Sequence, residues 1–323
     1  MGTTSSKLID AARRGDEEAL RAALATAASR GMDVSKVVEP MEEYSLLHLA
    51  SRAGHNACLA PLLAAGLSPD RPSRCADTPL HAAAAAGHAP CVLSLLEAKA
   101  SPDCRNAWGI TPLYAACYFG HDAAAQALIN ADATVNAARD DGGRALHAAC
   151  KAGSAACVRL LLAAQADVAA TMKGGAAPLA VAASYGREEC VAALLGAGAA
   201  VDAVDERGAP ALTGASDGGH AACVRLLLEA GANGGMADKQ GRTALHAAAM
   251  RNRVECLQVL LADPRVQTAA LCRGVTALQI AQSMGYGTAT QLLKAATASS
   301  STRVSSNQAL DVPALEIATV SAS

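Results

Sequence analysis

The chain has 323 residues, of which 52 % are hydrophobic but only 2 % aromatic, and its formal net charge is −2. So few large aromatic side chains argue for packing through alanine and leucine layers rather than one compact core. The near-neutral charge argues against a generic nucleic-acid or acidic-membrane binder. No uninterrupted apolar run reaches membrane-spanning length, and no apolar stretch precedes Asp10 and Arg13, so neither a membrane span nor a secretory signal is expected.

The first residues, Met1-Gly2-Thr3-Thr4-Ser5-Ser6-Lys7, match the pattern for N-terminal acylation of Gly2. Residues 5–38 then place Leu8, Ala11, Ala12, Gly15 and Leu20 at spacings that return downstream, with Ser6 as the start. From Ser45 onward the recurrence is strict. Ser45, Thr78, Thr111, Arg144, Ala177, Pro210, Thr243 and Thr276 open eight copies of 33 residues with no insertion between them. In the copy closest to the pattern, Thr78-Pro79-Leu80-His81-Ala82-Ala83 reads as a short helix. Thr78 can cap it and Pro79 suits its first turn. A glycine nine residues after each start suits the left-handed residue that ends a helix: Gly54, Gly87, Gly120, Gly153, Gly186, Gly219 and Gly285, with Asn252 as the one substitute. A second amphipathic run follows in each copy, such as Cys157-Val158-Arg159-Leu160-Leu161-Leu162. Turn glycines lie two residues before most starts, but Glu43 and Ala76 fill that slot in the first two copies. Pro61 sits inside a second helix, where it should cost about 3 kcal/mol or force a kink. The Pro210 copy carries Gly214 within its first helix and Gly234-Gly235 in its link, and is expected to open first.

This pattern resembles the ankyrin repeat, with a period of 33 and a Thr-Pro-Leu-His-x-Ala signature. The resemblance implies an all-α solenoid of helix-turn-helix repeats joined by β-turn or hairpin loops. It divides the chain into a degenerate N-terminal capping repeat and link (1–44), eight regular repeats (45–294) and a disordered Ser/Thr/Ala-rich tail (295–323).

All eight histidines fall in repeat slots. His48, His81, His147 and His246 are fourth in their copies; His55, His88, His121 and His220 follow the repeat glycine. The family resemblance implies that the fourth-position histidine bonds the capping residue and bridges to the next repeat. Six of the eleven cysteines share the slot 13 residues after the start, where a small buried residue is wanted; Cys75, Cys104 and Cys272 fall near turns, where exposed thiols are expected. No metal site, cofactor site or catalytic residue is expected, because every histidine is claimed by packing and no Cys-x-x-Cys pair exists.

The seven aromatics behave differently. Tyr114 and Tyr286 replace histidines. Tyr44, Trp108, Tyr118, Phe119 and Tyr185 occupy turn tips and first-helix ends, slots that the family leaves variable and uses for contact. They are the expected partner-binding residues, together with Ile110, Lys151, Lys173, Arg207, Lys239, Arg242, Met250 and Arg251. The charged members would make the C-terminal half of the concave face basic. The resemblance therefore implies a monomeric, non-catalytic module that binds an unidentified protein, not nucleic acid, through its concave face. Alternatives are an N-myristoylated, membrane-tethered adaptor using Gly2, or the substrate-recognition subunit of a ubiquitin ligase or an enzyme inhibitor. A cytoplasmic location is expected, with the nucleus as an alternative and membrane association if Gly2 is acylated.

Overall fold

The computed structural model describes residues 2–308, with side chains for residues 4–298. The elements form antiparallel helix pairs in chain order: α1 (Gly2–Arg14) with α2 (Glu17–Ser29), α3 (Leu46–Ala53) with α4 (Asn56–Ala64), α5 (Pro79–Ala86) with α6 (Ala89–Glu97), α7 (Pro112–Phe119) with α8 (Asp122–Asn130), and α9 (Ala145–Ala152) with α10 (Ala155–Ala163). The series continues with α11 (Pro178–Ser184) and α12 (Glu188–Gly196), α13 (Ala211–Gly218) and α14 (Ala221–Glu229), α15 (Ala244–Met250) and α16 (Val254–Ala262), and α17 (Ala277–Ser283) with α18 (Gly287–Gln308). Each odd-numbered helix packs on the next odd-numbered one and each even-numbered on the next even-numbered, which makes a two-layered solenoid. No strand is formed among the described residues. The loops between pairs are turns with isolated bridges such as Val204 to Pro210 and Ala237 to Thr243.

Helices of eight or nine residues would not persist alone in water. Their stability comes from stacking. Leu47, Leu80, Leu113, Leu146, Leu179, Leu212 and Leu245 of the first helices, and Leu62, Leu95, Leu128, Leu161, Leu194, Leu227 and Leu260 of the second, are all buried. Each contributes roughly 2 kcal/mol of transfer free energy. The cysteine slot is buried as well, at Cys58, Cys91, Cys157, Cys190, Cys223 and Cys256.

The fourth-position histidine ties copies together. The Thr78 N–H donates to His81 Nδ1 at 3.1 Å, so Nε2 carries the proton and donates to the Ile110 carbonyl of the next copy at 2.9 Å. His48 reaches the Asp77 carbonyl, His147 that of Ala176 and His246 that of Val275 in the same way. Burial pushes His48 down to about 4 and also lowers His81, His147 and His246. The second histidine set explains the repeat glycine. A Cβ on Gly54 would meet the His88 ring at 2.8 Å, and one on Gly87 the His121 ring at 2.6 Å; both glycines also have φ of +79°. The slot thus needs both a left-handed backbone and room for the next copy's ring.

Several expectations are corrected. Ser6 does not cap a helix; it lies inside α1, which begins at Gly2, and its hydroxyl donates to Asp10. Glu43 and Ala76 adopt φ of +57° and +60°, so the turns keep their left-handed geometry at a cost of roughly 1 kcal/mol each. Pro61 lies inside α4, where the sequence placed it. α18 runs past the boundary expected at Lys294 to Gln308; residues 309–323 of the expected tail lie outside the described residues.

Candidate functional site

Three of the turn tips are pinned by a residue five positions before the start of their copy. Asn106 Oδ1 accepts from the N–H groups of Trp108 and Ile110, both at 3.0 Å, and Asn106 also donates to Asp77 at 2.8 Å. Asp205 and Asp238 do the same in their copies, accepting from Arg207 and Ala209, and from Gln240 and Arg242. Successive tips are tied by backbone bonds, Ala107 N–H to Cys75 carbonyl at 2.9 Å and Lys239 N–H to Arg207 carbonyl at 2.9 Å. The loops therefore present their tip residues from a fixed row. Asn or Asp stands at this position in three of the eight copies, which the sequence shows once the register is known.

Two hollows are built on this row. Tyr44, Arg52, Asp77, Asn106, Trp108, Ile110 and Phe119 line the first, of about 390 Å³. Ile110, Tyr118, Phe119, Arg139, Asp141, Lys151 and Met172 line the second, of about 380 Å³. They share Ile110, Ala115 and Phe119 and so form one strip. Trp108 is 52 % exposed, Phe119 57 %, Tyr185 47 % and Tyr118 40 % in a protein otherwise packed through small residues. The rings order one another. Tyr118 stacks on Tyr114 at 6.3 Å and meets Phe119 edge-on at 5.2 Å, while Tyr44 stacks on His48 at 5.3 Å. Lys151 bridges two copies, with its ammonium 5.6 Å from the Tyr118 ring and 5.7 Å from that of Tyr185. Arg52 lies over Tyr44 at 5.8 Å.

Tyr114 shows how the frame absorbs a lost histidine. Arg139 takes the place of the pinning Asn or Asp, stacks over the Tyr114 ring at 5.1 Å and donates to its hydroxyl at 2.9 Å.

In the C-terminal part of the face, expected to be basic, the arginines lie against aspartates. Tyr185, Arg207, Asp217, Arg242 and Arg251 line one depression, but its cations are answered locally. Arg207 pairs with Asp205 at 3.0 Å, Arg242 with Asp238 at 3.2 Å and Asp217 at 3.6 Å, and Arg251 with Asp217 at 3.5 Å. Three aspartates offset three arginines, because the turn-pinning slot is itself acidic there. Lys173, Lys239 and Met250 line neither the two hollows nor this depression. At the far end of the chain, Gly2 opens α1, and Thr4 two residues on is buried and accepts from Arg30 at 2.9 Å.

Nine of the eleven thiols are buried. Cys272 is buried, contrary to expectation, and Cys75 and Cys104 are half-buried. Burial raises Cys104, and takes Cys91, Cys223 and Cys256 up to about 11. A hydrogen bond from Cys117 lowers Cys157 to about 7, yet both thiols are fully buried. Among the described residues no cluster of His, Cys, Asp or Glu converges to hold a metal, and no helix is long and apolar enough to cross a membrane.

A family model described as ankyrin repeats matches residues 8–106, 80–172, 114–205, 179–270 and 212–304. The crystal structure of the human ASB11 ankyrin repeat domain is similar, with 30 % identity and a TM-score of 0.63, covering 68 % of this chain and 98 % of that one. The crystal structure of the ankyrin repeat domain of Bcl-3, titled a unique member of the IkappaB protein family, is also 30 % identical over 68 % of this chain and 98 % of that one, with a TM-score of 0.58. Among curated proteins none matches.

Proposed function

The chain belongs to the ankyrin repeat family, and from that premise we propose that it is a non-catalytic binding module whose docking face is the aromatic strip from Tyr44 to Tyr185. The observation that carries this reading is the clustering of Trp108, Tyr118 and Phe119, each 40 % exposed or more, on one copy of a solenoid that otherwise builds itself from Ala, Leu and Cys. Packing does not call for them there, since Ala85 and Ala86 fill the slots of Tyr118 and Phe119 one copy earlier. Rigid, half-exposed aromatic side chains lose little conformational entropy on binding and anchor protein interfaces. The histidines support the non-catalytic part of the reading, since the four at the fourth position are tied into bonds between copies.

The test is a Trp108→Ala, Tyr118→Ala double variant, compared with wild type by proximity labelling in the native cell and then by titration against each enriched partner. Its circular dichroism and melting should match wild type. Affinity should fall by about 2 kcal/mol or more, in the hot-spot range. Full binding by the double variant would remove this face from consideration.

A further inference from the structure

We propose, building on the docking face above, that the strip receives an extended segment of a partner protein carrying an aspartate or glutamate beside large apolar side chains, with the carboxylate set on Lys151 between Tyr118 and Tyr185.

The argument begins with charge. Arg139, Arg207, Arg242 and Arg251 on the concave face each have an aspartate of this chain within 3.6 Å. Arg52 and Lys151 form no ion pair among the described residues; Arg52 lies over one ring, Tyr44, at 5.8 Å in the hollow that also holds Asp77, whereas the Lys151 ammonium is held between two tyrosine rings at 5.6 and 5.7 Å. The rings fix where the charge sits without satisfying its three N–H donors. An arriving carboxylate would complete them in a charge-assisted bond, at a site the rings already order.

The two joined hollows supply the apolar part. Inner helices of neighbouring copies pack about 8–10 Å apart. A chain in polyproline II form advances about 9 Å over three residues and returns to the same face. Apolar side chains three positions apart therefore match the hollow of Tyr44, Trp108 and Phe119 and the hollow of Ile110, Tyr118 and Met172, with the acid just beyond the second. Asp141 in the second hollow is already paired with Arg139 at 3.4 Å, which leaves Lys151 as the group there that an arriving carboxylate meets. Single-stranded nucleic acid also likes aromatic platforms and lysines. Here, however, a continuous phosphate backbone would have to pass Asp77 and Asp141, on a chain of net charge −2.

The experiment selects from a random twelve-residue displayed-peptide library on the full chain. Selected sequences should carry two large apolar residues three apart, with Asp or Glu next to one of them on either side. The best peptide, resynthesised with its acid changed to the amide, should bind wild type about tenfold more weakly. Both peptides should bind Lys151→Met equally. An amide penalty of the same size on Lys151→Met, or selected sequences without an acid, would overturn the chemistry proposed for Lys151. Tighter binding of an oligothymidylate than of the peptide, or self-association abolished in Lys151→Met, would replace the partner segment with nucleic acid or with a second copy. Trp108→Ala, which does not touch Lys151, separates the two proposals. Undiminished peptide binding by that variant would overturn the docking face itself.

Discussion

In the Thr111 copy, Asn106 holds the N–H groups of Trp108 and Ile110 at 3.0 Å; in the Pro210 copy, Asp205 holds those of Arg207 and Ala209 at 2.9 Å. The turn backbone is the same and what it displays is not. The first copy presents Trp108, Tyr118 and Phe119 as half-exposed rings. The second presents Arg207, which folds back on the aspartate that pins its own turn, and Asp217, which is shared by Arg242 and Arg251. The two copies also part company at the fourth position. Tyr114 has Arg139 as a partner, whereas Thr213 is buried with no partner for its hydroxyl. The comparison separates two kinds of slot. Left-handed glycines and buried leucines hold the stack wherever they occur, while tip and helix-end slots vary without disturbing it.

The largest expected effect comes from what both of these copies lack. Neither has a histidine at the fourth position, but His48, His81, His147 and His246 do this work elsewhere. In the unfolded chain an imidazole takes a proton near pH 6.5, whereas buried His48 stays neutral down to about 4. Between those values the unfolded state binds more protons, so stability falls as the pH falls. His48 alone should remove about 2 kcal/mol between pH 7 and pH 5 and about 3 kcal/mol by pH 4, with the other three adding in the same direction. Urea melts at pH 7, 6 and 5 measure this. An unfolding free energy that is flat across that range would mean that the histidines are not held neutral.

A smaller effect should appear in the contrast itself. α7 is capped by Thr111, whose hydroxyl accepts from the Tyr114 N–H at 3.2 Å; α13 has Pro210 at its cap, with no side-chain bond, and carries Gly214 and Gly218. Gly214 answers a close approach, since a Cβ there would meet Ser184 Oγ at 2.3 Å, but it still weakens the helix by about 1 kcal/mol relative to alanine. A missing cap costs about as much again. Amides of α13 should exchange roughly tenfold or more faster than those of α7 at pH 7, in hydrogen exchange read by mass spectrometry. If they are among the slowest in the array, the uncapped copy is not its weak point.

The frame was legible in the sequence because it repeats. Every structural demand recurs at 33 residues, so the helix pairs, the left-handed positions, the histidine bridges and the cysteine layer could be read from the columns. The aromatic candidates were visible as departures from those columns. Relations across copies were not. Lys151 lies seven residues after its own start and touches Tyr118 and Tyr185 from the copies on either side, a contact that only stacking creates. The pairing of the arginines was hidden for a similar reason, because Asp205 and Asp238 answer them from turns and Asp217 from a neighbouring helix. The end of α18 was misplaced because the Ser and Thr content of 295–323, averaged over the segment, concealed the helix-forming run Ala295-Ala296-Thr297-Ala298 at its start.

The smallest effect tests Thr213, where the second copy departs most quietly. The slot is built for a histidine that reaches the next copy; Thr213 is 1 % exposed, and its hydroxyl finds neither that carbonyl nor any other acceptor. Burying an unpaired hydroxyl loses its bonds to water without replacing them. Valine has the same branched shape and no such group. Thr213→Val should therefore raise the unfolding free energy by about 1 kcal/mol in urea melts. The same substitution at Thr111, whose hydroxyl accepts from the Tyr114 N–H, should lower it by about as much. Opposite signs from one chemical change would show that the two copies differ in what their polar groups meet rather than in their fold, and equal signs would refute that.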